Sequence, residues 1–282
     1  MPDAVQGETG YIPLEPGAQV YVFADVQNAR PILDLVPIGE LDDKQSKQML
    51  DLTSSAVAAL YPAESGRRFQ LTAWGKYPSS RAGMAFGMSR GWKKQRSVSG
   101  APYWYSAGSG LSVFLKAKQA FAAASVNATP GDPFTASPGT ELPEGLDEFR
   151  RGALIACWLE KPGPMINRIF ERMQIPLQLP AERIFISLFP VPEQERQYQA
   201  LIRIRTPSAT QARALVTLIA MARAFGAVPT AASGEPDAQT VLMAVLFANA
   251  PAQDGPNLNI KSAVLSEKEI ALLFSLFQIY SG

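Results

Sequence analysis

The last part of the chain, from Ile270 to Gly282, contains no charged residue but has eight large apolar side chains. Ser266 and Glu269 precede it with the spacing of a capping box, which predicts that a helix begins there. At about 100° per residue, the eight side chains cover most of the helix circumference. Such a helix must be buried on several sides or meet lipid, and it is too short to span a bilayer.

A second weakly charged helix is predicted over residues 208–225, with Ser208 as its N-cap. Arg213 and Arg223 are its only charges. Either helix alone is compatible with a place in the protein core. Two of them favour an apolar surface that is exposed or that can be switched between core and lipid.

Composition narrows the possible functions. The 282 residues include 26 Lys and Arg, 25 Asp and Glu, and no His. The lack of His removes His-based triads and most zinc sites, and the balanced charge argues against nucleic acid as a partner. Without a phosphate loop or a nucleophile motif, we expect no enzymatic activity, no cofactor and no metal. A hydrolase built from distant carboxylates is the less favoured reading. Cys157 lies in an apolar run and is predicted to be a buried, inert thiol.

The pattern of elements predicts an α+β fold. Before residue 127, residues 19–26 predict a strand and residues 42–60 an amphipathic helix. An antiparallel meander follows, with β-like runs at 68–75, 83–89 and 102–106. Residues 111–125 fit either strand or helix, with strand favoured for their first half.

The same order recurs after residue 150. Residues 152–159 predict a strand, 162–175 an amphipathic helix, and 183–189 with 198–205 a hairpin. We therefore expect two similar strand–helix–strand–strand halves with antiparallel sheet and several amphipathic helices. An apolar run at 241–247 and a strand at 258–264 lead into the last helix.

Turn residues suggest the boundaries. Residues 1–17 predict a flexible N-terminal tether, 18–126 the first half, 127–147 a Pro- and Gly-rich linker, and 148–282 the second half. Met1-Pro2-Asp3 fits a start codon placed on a trimmed mature chain, so the lack of a signal peptide says little about the native precursor.

A basic and aromatic cluster spans residues 90–96, and Tyr103-Trp104-Tyr105 follows it. It is compatible with a solvated hairpin turn beside core aromatics, or with a patch at the membrane interface. With the two apolar helices, it completes the predicted lipid-contacting set. This set comprises Leu272, Leu273, Phe274, Leu276, Phe277, Tyr280, Leu215, Leu218, Ile219 and Trp92.

Short motifs along the chain resemble the concealed outer-membrane lipoproteins of treponemes. They are GAQVYV at 17–22, GKYP at 75–78, SRGW at 89–92 with Tyr103 after it, PLQLP at 176–180, and the strand, serine and helix of 258–280. The order of elements matches from about Gly17 to the end. The lipidated cysteine that begins those proteins is not matched here.

The resemblance implies an α/β scaffold with amphipathic helices, lipid-anchored in its native form to the periplasmic face of the outer membrane. It also implies reversible opening of a lipid-accessible cavity. The expected function is to bind or insert into the inner leaflet, and so to perturb the bilayer or shelter a lipid, with membrane lipid as the partner and a homodimer possible. The alternative is a soluble periplasmic scaffold or binding module, with the apolar helices buried in its core or in a dimer interface.

Overall fold

A computed structural model of the protein describes residues 11–12, 14–35, 43–62, 67–77, 86–87, 91–116, 118–125, 140–141, 150–172, 178–224 and 238–280. The strands are β1 Tyr11–Ile12, β2 Val20–Asp25, β3 Thr53–Leu60, β4 Arg67–Gly75, β5 Trp92–Arg96, β6 Pro102–Ser106, β7 Leu111–Lys116, β8 Gln119–Ser125, β9 Thr140–Glu141, β10 Ile155–Glu160, β11 Arg183–Pro190, β12 Gln197–Arg205, β13 Ala252–Asp254 and β14 Asn257–Ser266. The helices are α1 Arg30–Leu33, α2 Asp43–Leu52, α3 Gly163–Arg172, α4 Ala209–Ala224, α5 Ala238–Phe247 and α6 Glu267–Tyr280.

The chain divides into two compact units. The first comprises Met1–Asn28 and Leu41–Arg151, and the second comprises Ala29–Glu40 and Gly152–Gly282. The division thus falls near residue 151, and the segment with α1 belongs to the second unit. The fold is α+β and mainly antiparallel. A strand, a helix and two strands follow each other in both units, although a relation between the two halves stays a prediction.

In the first unit the strand order is β2-β3-β4-β8-β7-β6-β5, with every neighbouring pair antiparallel. One face of this sheet forms the core, where Tyr21, Phe23 and Val57 are buried. The core continues through stacked rings, since Tyr103 lies 4.9 Å from Phe114 between ring centroids. Aromatic pairs at this separation add to the stabilisation from burial.

In the second unit the strand order is β13-β14-β12-β11-β10, again antiparallel. The predicted hairpin of β11 and β12 is confirmed, and Ile202 and Ile204 are buried while Arg205 is exposed. Period-two alternation of this kind is what a sheet with one covered face requires. Helices α4, α5 and α6 all pack on β14.

The helix predicted over residues 42–60 is wrong in its second half. The helix ends at Leu52, and Thr53–Leu60 is a strand between β2 and β4. Small residues in this stretch satisfy both periods, and hydrogen-bonded ladders on both sides decide in favour of the strand. The Thr53 hydroxyl donates to the Met49 carbonyl at 2.8 Å, which closes the last helical turn.

Residues 111–125 form two strands, β7 and β8, so the strand predicted for the first half is confirmed and the second half is also β. Residues 83–89 were expected to be β-like. Within this run the structure describes only Phe86 and Gly87, which are helical. Residues 92–96 of the basic cluster after them form strand β5 rather than a turn, because β5 pairs along its whole length with β6.

The predicted flexible tether does not hold for its last residues. Leu14 is buried, and the Glu15 amide donates to Gln70 Oε1 at 2.9 Å. Tyr11–Ile12 pairs with Thr140–Glu141, so the predicted tether and linker meet in a short β-ladder. Residues 1–10 and the rest of the linker lie outside the described part of the chain.

Candidate lipid-contacting surface

The start of α6 is fixed by the predicted capping box, which is confirmed. The Ser266 amide donates to Glu269 Oε2 at 2.7 Å, and the Glu269 amide lies 3.4 Å from Ser266 Oγ. Two amide donors that the helix itself leaves unpaired are satisfied in this way. Glu267 and Glu269 also place negative charge in the first turn, where it suits the helix dipole.

The first turn of α6 is also tied to the sheet. Glu267 Oε1 lies 3.3 Å from Arg196 Nε and accepts a hydrogen bond from the Tyr198 hydroxyl at 3.4 Å. Burial of the ring raises the pKa of Tyr198, and the neighbouring Glu267 carboxylate raises it further. The phenol therefore stays neutral and remains a donor to Glu267 well above neutral pH.

The next turn of α6 is enclosed on several sides. Ile270 is 3% exposed, and the four residues after it, from Ala271 to Phe274, are all half-buried. Four consecutive helical residues point in directions that together span most of the circumference. Contacts with β14, α5 and α1 account for this enclosure. Of the predicted set, Leu272, Leu273 and Phe274 are thus partly covered by the protein itself.

The last turns of α6 carry the remaining predicted residues of this helix. Leu276, Phe277 and Tyr280 are helical in backbone, and their side chains lie outside the described part of the structure. Among the described residues, no helix has the length and apolarity needed to cross a bilayer.

Helix α4 has one buried face and one exposed face. Its predicted N-cap is confirmed, since the Gln211 amide donates to Ser208 Oγ at 3.2 Å. Leu215 and Ile219 are 1% and 2% exposed, whereas Leu218 is 44% exposed. Of the three predicted lipid-contacting residues of this helix, only Leu218 is accessible in this structure.

Leu218 has an apolar neighbour that sequence reasoning missed. Met221, three residues further along α4, is also 44% exposed, and Ala220, the exposed residue between them, is small. The three-residue spacing that puts both on one face is visible in the sequence. It was obscured because α4 is weakly charged all round, so its core face could not be identified.

Helix α3 is the most strongly amphipathic of the described helices, and it confirms the helix predicted at 162–175 over Gly163–Arg172. Met165 and Ile166 are half-buried, while Arg168 and Glu171 are exposed. Asn167 Oδ1 accepts a hydrogen bond from the Leu179 amide at 2.8 Å, which ties α3 to the segment before β11.

The predicted residue Trp92 belongs to the first unit. It is half-buried on β5, and its ring lies 4.7 Å from that of Phe86, which in turn lies 5.7 Å from Trp104. The neighbouring Lys93 and Lys94 are exposed. This arrangement combines an apolar ring cluster with cations on the edge strand of a sheet.

A second signal that sequence reasoning missed is the distribution of charge. Between Ser65 and Gly131 the chain carries ten Lys and Arg residues and no Asp or Glu. The near-zero net charge of the whole chain conceals this segment, because acids elsewhere cancel it. Charge asymmetry within a chain is a physical statement about its partners, whereas net charge alone is not.

Cys157 is the one candidate for reactive chemistry among the described residues. The residue keeps some exposed surface, yet its sulfur is enclosed closely enough that burial raises the pKa of the thiol to about 12. A thiol with this pKa is a poor nucleophile at neutral pH. Within the same described ranges, no three His, Cys, Asp or Glu residues lie where they could hold a metal ion.

The raised pKa of Cys157 predicts a pH dependence of stability. The native state disfavours the thiolate, so this stabilisation is complete below the ordinary thiol pKa of 9.0 and is lost as the pH rises toward about 12. We expect the free energy of unfolding to fall by up to about 1.4 kcal/mol per pH unit in this window. Urea denaturation of the parent and of Cys157→Ala at rising pH measures it. Parallel pH profiles of the two proteins would contradict the prediction.

Comparison with known proteins bears on the location of the protein. Residues 12–114 match the family model described as outer membrane-associated lipoprotein TP0453. No curated protein matches the chain. The family's association with the outer membrane agrees with the location expected above.

Solved structures share the fold. Crystal form III of TP0453 is 15% identical, with a TM-score of 0.66 over 93% of this chain and 96% of that one. Crystal form I is 16% identical, with a TM-score of 0.64 over 95% of this chain and 99% of that one. With the family match over residues 12–114, the predicted resemblance to the treponemal outer-membrane lipoprotein family is confirmed.

Proposed function

We propose that the protein works at the periplasmic leaflet of the outer membrane, where its helices contact or enter the bilayer and perturb it or shelter a lipid. In this proposal it is lipid-anchored in its native form, its partner is membrane lipid, and no catalytic step, cofactor or nucleic acid takes part. The family match supports the location, and the helices of the second unit support the mode of contact.

The observation that carries the proposal is the outward face of α4. Leu218 and Met221 are each 44% exposed and lie one turn apart. Ala214 and Thr217 on the same side are exposed as well, and neither carries charge. Single exposed apolar residues are common on soluble proteins. An uncharged stripe that contains two large apolar side chains is instead suited to contact with an apolar surface.

Two other helices extend this contact. The last turns of α6 continue without charge to Tyr280, and α3 has the apolar and charged faces of a helix that lies in the membrane interface. Helix α5 packs against both α4 and α6, so α4 and α6 belong to one layer of the second unit. Anchoring of the first turn of α6 to Tyr198 leaves its later turns to exchange protein contacts for lipid contacts.

The second candidate is a periplasmic scaffold or binding module whose apolar helices serve its core or a homodimer. It is favoured by the enclosure of α6, since the residues from Ile270 to Phe274 are covered by other elements of the same chain. A homodimer would bury the outward face of α4, and the same residues would then meet a second copy in place of lipid.

Flotation with phosphatidylcholine vesicles tests the proposal. Replacing Leu218 and Met221 together by Glu removes two apolar contacts of about 1.5–3 kcal/mol each, so partition onto vesicles is expected to fall more than about 100-fold. The matched control replaces Ala209 and Ala220, which are exposed on the side of the same helix that points away from Leu218, by Glu. Equal binding of both variants contradicts the proposal. A parent that is dimeric in sedimentation, with a monomeric Leu218/Met221 variant, supports the second candidate.

A further inference from the structure

The β5–β6 hairpin ends in an apolar residue that points into solvent. Val98 is 83% exposed, the largest value among the exposed large hydrophobic residues. The turn beneath it is held by hydrogen bonds, with the Gly100 amide donating to the Ser97 carbonyl at 2.9 Å and the Ser97 amide to the Ala101 carbonyl at 2.9 Å. Gly100 takes the positive φ of +85° that this three-residue loop requires. Val98 therefore lies at the tip of a hydrogen-bonded turn.

Basic residues occupy the same end of the sheet. The Gly75 amide donates to the Lys118 carbonyl, so the β7–β8 turn lies beside the end of β4 and beside Lys76. Lys116 pairs with Gln119 across that turn, and Arg96 pairs with Pro102 where β6 begins. Since β4 and β5 are four strand spacings apart, this row of cations is about 19 Å long. Lys76, Arg96, Lys116 and Lys118 are all exposed.

No acidic residue of the described strands β4 to β8 and their described turns interrupts this row. Strands β4 to β8 and the loops between them lie within the segment that has ten basic residues and no acid. On the side toward β3, Asp51 is exposed on α2, and Asp25 is hydrogen-bonded to the Asn28 side chain at 2.8 Å. Among the described residues of this unit, the acids at this end thus lie beyond β4, on the side toward β3. The edge strand β5 adds Lys93 and Lys94 to the positive side.

We infer that this end of the first unit's sheet binds the anionic headgroups of a phospholipid bilayer, with Val98 entering the interface between them. An exposed apolar tip among cations fits such a surface, where each Lys or Arg gains from the negative surface potential. A nucleic acid or another soluble polyanion would use the cations but would leave Val98 in water. The inference rests on the proposed function for its membrane, and it adds a preference for anionic lipid and a second point of contact.

Cations on an edge strand also protect a sheet from pairing with another chain. That role accounts for Lys93 and Lys94 on β5, but Lys116 and Lys118 lie at a turn between two interior strands. If the cations only protect the edge, their removal should have the same effect on binding to anionic and to neutral vesicles. Varying the vesicle composition therefore separates the two roles.

The experiment compares the full chain with the variant Lys76→Gln, Lys116→Gln, Lys118→Gln on vesicles of phosphatidylcholine with and without phosphatidylglycerol. Each cation is expected to contribute about five-fold, so the triple variant should bind anionic vesicles on the order of 100-fold more weakly. On neutral vesicles the variant and the parent should bind equally. The matched control removes three exposed cations elsewhere, as Arg151→Gln, Lys261→Gln, Lys268→Gln. Equal loss in both triple variants, or no loss in either, overturns the inference.

Val98→Asp tests the apolar tip, against Ala107→Asp at the opposite end of the same sheet. Only Val98→Asp should weaken binding to anionic vesicles. If a DNA duplex binds as tightly as the vesicles and Val98→Asp changes neither, the surface takes a soluble polyanion and the inference is wrong. If only this inference is wrong, the α4 variant still binds neutral vesicles more weakly than the parent does. If only the proposed function is wrong, the triple lysine variant still binds anionic vesicles more weakly, and the α4 variant binds like the parent.

Discussion

Leu215→Ala is expected to lower the free energy of unfolding by about 3–4 kcal/mol, because a fully buried leucine leaves a cavity that its surroundings fill only partly. Leu215 lies on the covered face of α4 and is almost completely buried. Leu218→Ala, three residues on, is expected to change it by less than about 0.5 kcal/mol, since nearly half of that side chain already meets water. Urea denaturation followed by circular dichroism measures both values.

The same pair of variants separates core from contact surface. We expect Leu215→Ala to bind vesicles like the parent under conditions where it is folded, and Leu218→Ala to bind them more weakly. An equal loss of stability in the two variants would mean that both faces of α4 are covered in solution. The second candidate, a homodimer that uses the outward face, would then be preferred.

Local signals with a single physical solution were predictable from the sequence. Ser266 and Glu269 define a capping box wherever a helix follows, and the structure has both of its hydrogen bonds. The alternation around Ile202 and Ile204 has only one reading, a strand with one covered face, and β12 is that strand. In both cases the residues that make the pattern also make the contacts.

The strand β3 was not predictable in the same way. Its Ser and Ala residues are small enough for either face of a helix or a sheet, so neither period excludes the other. What decides is the pairing on both sides, with β2, from which α1 and α2 separate it in sequence, and with the following strand β4. Pairing with other segments cannot be recognised from the residues of β3 alone.

The candidate surface was predictable in kind but not in detail. A helix that is apolar on all sides does not reveal which side the core will take, so Leu215, Leu218 and Ile219 were indistinguishable until α4 was placed on its neighbours. The basic end of the first sheet is the opposite case, because its charge pattern is written in the sequence. The net charge of the whole chain hides this basic segment, because acids elsewhere cancel its charge. Charges in solution nevertheless interact over about one Debye length, which is shorter than the protein.

The two halves of α6 are expected to respond differently to substitution. Ile270 lies in the part that β14, α5 and α1 enclose, so Ile270→Ala should lower the free energy of unfolding by about 2–4 kcal/mol. The proposal gives Phe277, two turns later, a place in lipid. Phe277→Glu removes an apolar contact and sets a charge against the bilayer, so it should weaken vesicle binding by on the order of 100-fold or more.

Vesicle flotation and urea denaturation of both variants form the test, with Gln278→Glu as the matched control for added charge on the same turn. If Phe277→Glu lowers stability as much as Ile270→Ala does and still floats with vesicles, α6 is a core helix along its whole length. In that outcome lipid contact would rest on α4 and α3 alone. If Phe277→Glu leaves stability unchanged and abolishes flotation, the two ends of α6 have different roles. The anchored first turn then stabilises the fold, and the apolar last turns contact the membrane.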